Sequence, residues 1–86
     1  MKSVYFQGLA YKQFIEWEES SQDVFQKIKV LINEIGRDPF RGLGKPEPLK
    51  HQYKGYWSRR INGEHRIIYK YEDGVIFIAS LKGHYV

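Results

Sequence analysis

The sequence predicts an α+β domain in the order β-α-α-β-β-β, with two helices packed on one face of a largely antiparallel sheet. Three observations carry this. Apolar residues recur at helical spacing only between positions 9 and 36, the chain after Leu49 alternates like strands, and two turn dipeptides, Asn62-Gly63 and Asp73-Gly74, punctuate that second half. At 86 residues the chain has room for one domain, 1–86. A hydrophobic content of 42% with 16% aromatics is too apolar for a disordered chain.

Lys2 to Phe6 reads as a short strand with Val4 and Phe6 on one face. From Leu9 to about Glu19 the pattern is helical, with Ala10, Phe14 and Trp17 near one stripe. Ser20-Ser21 then offers N-caps, and Asp23 suits the first turn of a second helix. In that helix Val24, Ile28, Leu31 and Ile35 form the stripe, widened by Phe25 and Ile32. Gly36 is the expected C-terminal cap, and Pro39 bars continuation. Arg37 to Pro48 reads as a Gly/Pro-rich loop, its Gly42-Leu43-Gly44-Lys45 a flexible turn rather than a phosphate-binding loop. Asn62-Gly63 joins Trp57–Ile61 to Glu64–Tyr71, and Asp73-Gly74 leads into Val75–Leu81. With the helices on one face, the other face of the sheet is available for binding.

The net charge of +4 is unevenly spread. Residues 41–70 hold eight positive side chains and two acids, a local +6, and the remaining 56 residues sum to −2. Lys45, Lys50, Arg59 and Arg60 interleaved with Tyr53, Tyr56 and Trp57 suit a polyanion whose bases can stack. A solvated strand face is the alternative. No apolar run is long enough to span a bilayer, there is no cysteine for a thiolate metal site or disulfide, and no secretory signal pattern is present, so a cytoplasmic protein is expected.

Nucleophilic cysteine and Gly-x-Ser-x-Gly are absent, and His51, His65 and His84 show no metal-ligand spacing, so neither metal nor cofactor is expected. What remains is Glu47 in the basic loop, Arg59, Arg60 and Arg66 on the hairpin, and His84 near the C-terminus. These types suffice for metal-free RNA cleavage: a base takes the ribose 2′-OH proton, cations hold the phosphate, and an acid protonates the leaving 5′-oxygen. Glu47 as a solvated loop carboxylate and His84 as an idle terminus stay open on pattern alone. A two-residue Asn62-Gly63 turn would put Arg59 opposite Arg66, which is costly unless an anion lies between them; a slip of one residue would swap which arginine points out. His65, beside Ile67 and Tyr69, reads as a packed structural histidine.

The segment Gly44-Lys45-Pro46-Glu47-Pro48-Leu49-Lys50-His51, then Gly55-Tyr56-Trp57-Ser58-Arg59-Arg60-Ile61, Glu64-His65-Arg66-Ile67-Ile68-Tyr69 and the closing His84-Tyr85 resemble the YoeB toxins over essentially the whole chain. That family belongs to the RelE-like toxins of bacterial toxin–antitoxin pairs, endoribonucleases that cut mRNA in the ribosomal A site. The resemblance implies a RelE-like fold, Glu47 as general base, Arg66 as the phosphate-stabilising cation, His84 as general acid and Tyr85 in support. It implies RNA-backbone roles for Lys50 and Arg60, a homodimer, and a YefM-like antitoxin partner. One departure is Val86, which moves the terminal carboxylate about 3.3–3.6 Å beyond where a chain ending at Tyr85 would place it. The RelE-like fold also hosts ParE-type gyrase poisons, and a plain RNA-binding module is a third reading.

Overall fold

The computed structural model describes residues 2–83. Its elements are β1 (Ser3–Phe6), α1 (Ala10–Ser20), α2 (Gln22–Arg37), β2 (Glu47–Pro48), a 3-10 turn (His51–Tyr53), β3 (Trp57–Arg60), β4 (Arg66–Glu72) and β5 (Val75–Ser80). They form one five-stranded sheet in the order β1-β5-β4-β3-β2. Only β1 and β5 run parallel; the other neighbours are antiparallel. The expected layering is therefore present, and the first strand lies at one edge of the sheet, parallel to the last.

Local chemistry sets the helix ends. The Ser21 hydroxyl accepts from the Val24 N–H at 3.3 Å and starts α2 in the same residue that closes α1, whose Trp17 carbonyl takes the Ser21 N–H. Gly36 is not the C-cap. The helix runs on to Arg37 and stops at Asp38, extended at φ −151, because Asp38 precedes Pro39 and is barred from helical geometry. Lys2 Nζ donates to the Gly36 carbonyl at 2.9 Å, placing a cation where the helix end exposes acceptors.

The core lies between the helices and the inner sheet face. Ile28, Leu31 and Ile35 of α2 meet Ile67, Tyr69, Ile76 and Ile78, all buried, while Phe6, Phe14, Trp17 and Trp57 pack at its margin. The Asp73-Gly74 turn is a two-residue hairpin: Glu72 pairs with Val75, and both turn residues have positive φ (50 and 77). A bulge at Ala79 lets Tyr69 pair with Ile78 and Ile68 with Ser80, bending β5 as it leaves the sheet.

Candidate nucleic-acid interface

The Asn62-Gly63 hairpin departs from a two-residue turn. Asn62 Oδ1 accepts from the N–H groups of Glu64 (2.9 Å) and His65 (2.8 Å), and Gly63 stays out of the left-handed region, so the connection spans 61–65. Register therefore differs by one residue from that of a tight turn. Arg60, not Arg59, stands opposite Arg66, and Arg59 stands opposite Ile67. One residue of register turns a side chain to the other face, so the two arginines exchange places. Arg60 and Arg66 share the helix-free face, with Arg60 exposed and Arg66 half-buried. Arg66 Nη1 is steadied by the Asn62 and His65 carbonyls at 2.8 and 3.1 Å.

Arg59 is thereby removed from the RNA-facing set. It is 0% exposed, and its guanidinium donates to Tyr69 Oη (3.0 Å) and to the carbonyls of Leu43 (3.1 Å), Arg41 (3.0 Å) and Asp38. Among the described residues no carboxylate pairs with it, so backbone dipoles of the 38–43 loop carry its charge. The Tyr69 hydroxyl in turn donates a hydrogen bond to the Pro39 carbonyl at 2.6 Å, and burial pushes its pKa up from 10.0, opposed by Arg59. The loop expected to be a flexible turn is thus tied to the sheet. Gly44 (φ +90) lies where a Cβ would meet Leu31, Arg59 Cβ and the Arg60 carbonyl at 3.0–3.2 Å, and its own carbonyl takes the Arg60 N–H at 2.6 Å. Trp57 also leaves the RNA-facing set: opposite Tyr69, it faces the helices and packs against Phe40, the rings tilted by 48° with centroids 5.0 Å apart.

From this anchorage the chain enters β2. Glu47 pairs with Ser58, so it is exposed on the same face as Arg60 and Arg66. Directly opposite residues share a face, and the Glu47–Arg60 diagonal is about 7–8 Å between backbones. Lys45 (φ 54) and Lys50 flank Glu47, both exposed. The structure therefore brings Glu47, Arg60 and Arg66 onto one surface, with Lys45 and Lys50 beside it. Farther along that face Lys70 Nζ sits 5.3 Å from the Tyr56 ring and 5.2 Å from that of Phe77.

His84 and Tyr85 lie outside the described residues. The residue before them is held next to Arg66: the Gly83 carbonyl accepts the Arg66 N–H at 2.8 Å, and the Gly83 N–H donates to His65 Nδ1 at 2.9 Å. His65 is thus a packed histidine, its ring 4.9 Å from that of Trp17. Among the described residues no cluster of His, Cys, Asp or Glu could hold a metal ion. An apolar groove of about 360 Å³ between Val4, Ile32 and Ile76 lies on the helix side, away from Glu47. Sequence reasoning missed Tyr69 and Gly44. Tyr69 shows one signal, a lone polar atom in the apolar run Ile67–Tyr69 of a central strand.

The chain is thus a small α+β protein, a helix pair on a mixed sheet whose helix-free face gathers arginines beside an edge-strand glutamate. Residues 6–85 match the family model for the YoeB-like toxin of bacterial type II toxin-antitoxin systems, and the chain belongs to that family. The curated toxin YoeB of Streptomyces coelicolor is 45% identical over 80 residues, covering 93% of this chain and 95% of its own. A YoeB–YefM complex from Staphylococcus aureus superposes with TM-score 0.91 at 38% identity, covering 99% of both chains. A YoeB dimer from the same organism gives 0.91 at 39%, covering 98% of both. No described helix is long and apolar enough to cross a membrane.

Proposed function

We propose that this toxin is a ribosome-dependent, metal-independent endoribonuclease that cleaves mRNA in the A site and so stops translation in the cytoplasm. The observation that carries the reading is the direct opposition of Arg60 and Arg66 on the open sheet face with Glu47 one row away. Two cations facing each other across a strand pair repel unless an anion lies between them, and a scissile phosphate is such an anion. Glu47 takes the proton of the ribose 2′-OH, whose oxygen attacks the adjacent phosphorus. Arg66 neutralises the charge that gathers on the phosphate, and Arg60, Lys50 and Lys45 hold the backbone on either side. His84 protonates the departing 5′-oxygen, leaving a 2′,3′-cyclic phosphate, with Tyr85 supporting that end of the site. A YefM-like antitoxin and a second copy of the chain are the expected protein partners, as in the Staphylococcus aureus relatives.

The test is in vitro translation with and without the protein, followed by primer extension to map mRNA 5′ ends. Cuts within the A-site codon that vanish in Glu47→Ala and His84→Ala, both still folded and still binding RNA, are the expected result. Arrest without cuts would make the protein a ribosome binder. No effect on translation would move attention to a gyrase-directed toxin of the same fold.

A further inference from the structure

We propose that His65 is a positioning residue for the C-terminal end of the site, accepting the Gly83 N–H so that Gly83, the last described residue, is held beside Arg66. Gly83 is gripped twice by consecutive residues of one strand start: its N–H by His65 Nδ1 (2.9 Å) and its carbonyl by the Arg66 N–H (2.8 Å). The segment leading to it is racked on α1. Leu81 N–H donates to Gln13 Oε1 at 2.7 Å, Leu81 carbonyl takes Trp17 Nε1 at 2.9 Å, and Lys82 Nζ pairs with Glu16 at 3.0 Å. Trp17 also meets the His65 ring edge-on, so α1 fixes both the segment and the side chain that clamps its end.

The chemistry of the clamp is specific. Nδ1 accepts only when its proton is elsewhere, so the ring is the Nε2–H tautomer, and Glu64 Oε1 stands 3.5 Å from Nε2 to favour it. Gly83, at φ +72, takes a backbone shape that other residues resist, which lets the chain present both its N–H and its carbonyl to the strand start. His65 thus acts through Gly83 and touches no reacting atom. The inference rests on the proposed role of His84 as general acid only for its consequence in catalysis; the clamp itself stands on residues 65, 66 and 83.

Two measurements on the full-length toxin separate these layers. With 15N-labelled protein, a scalar coupling across the hydrogen bond between the Gly83 nitrogen and His65 Nδ1 is expected in the unaltered chain, and its absence would overturn the clamp. For the functional layer, His65→Phe keeps a ring against Trp17 and loses the acceptor, whereas His65→Asn keeps an acceptor oxygen near the Nδ1 position. The expected result is a kcat for mRNA cleavage lower by about five- to tenfold in His65→Phe, with KM unchanged and kcat recovered in His65→Asn, the worth of one hydrogen bond. An unchanged kcat in folded His65→Phe would overturn the positioning role. Should the unaltered protein cut no mRNA, the proposed function fails, and the coupling still decides whether Gly83 is clamped.

Discussion

Four oxygens, three from backbone carbonyls and one from Tyr69, surround the Arg59 guanidinium in a region closed to water. Removing the cation strands those acceptors, whereas a lysine places one ammonium where a planar fork is needed. Arg59→Met should cost about 3–5 kcal/mol in urea unfolding, with Arg59→Lys recovering only part of it. A loss below about 1 kcal/mol would mean that the loop holds without its hub. Tyr69 supplies a pH signature. Burial raises its folded-state pKa above 10.0, so the folded protein keeps the proton that the unfolded chain releases. Its contribution is complete below pH 10.0 and is lost as pH rises through the folded-state value. Unfolding free energy should therefore fall on alkaline titration above pH 10.0, with a shallower slope in Tyr69→Phe; identical slopes would show the hydroxyl titrates normally.

Among the elements, β2 is only Glu47 and Pro48, too short to hold itself, and its position is inherited from the loop before it. Gly44 is where that inheritance is exposed. An alanine there meets Leu31 Cδ2, Arg59 Cβ and the Arg60 carbonyl oxygen at 3.0–3.2 Å while forced to φ +90. Gly44→Ala should cost about 1–2 kcal/mol and reduce mRNA cleavage, because the strand carrying Glu47 shifts with the loop. Unchanged cleavage and melting together would show that the contact gives way harmlessly. The helices follow simpler rules: the Val24–Ile35 stripe, the Ser21 cap and the Pro39 stop are all local, and each is legible in the sequence. The Asp73-Gly74 turn is local in the same sense. The Asn62-Gly63 turn is equally local, but its dipeptide also suits a two-residue turn, and it is the Asn62 side chain, bonding two later N–H groups, that lengthens the connection.

At the scale of the molecule, the sheet sorts charge by side. The helix face is apolar apart from Arg59, while the other carries Glu47, Arg60, Arg66 and Lys70. Acid–base transfer between side chains and a ribose hydroxyl needs no metal. Cleavage in a purified reaction should therefore survive chelation by EDTA, ribosome integrity being controlled separately, and leave 5′-hydroxyl ends. Strict dependence on added divalent metal would sink the proposed acid–base mechanism, and 5′-phosphate ends would overturn it separately, because they require water and not the 2′-OH as nucleophile.

The sequence by itself determined the layer order, both helices, one hairpin turn and the motif that ties the chain to its family. Those depend on periodicity, caps and residue spacing, which act within a few positions. Only the tertiary structure decided which arginine faces the open side. The alternation of a strand is read from its register, and that register depends on a turn geometry set by one asparagine side chain. It likewise decided that Arg59 is a buried anchor, because the carbonyls that receive it come from a loop 16 to 21 residues earlier in the chain.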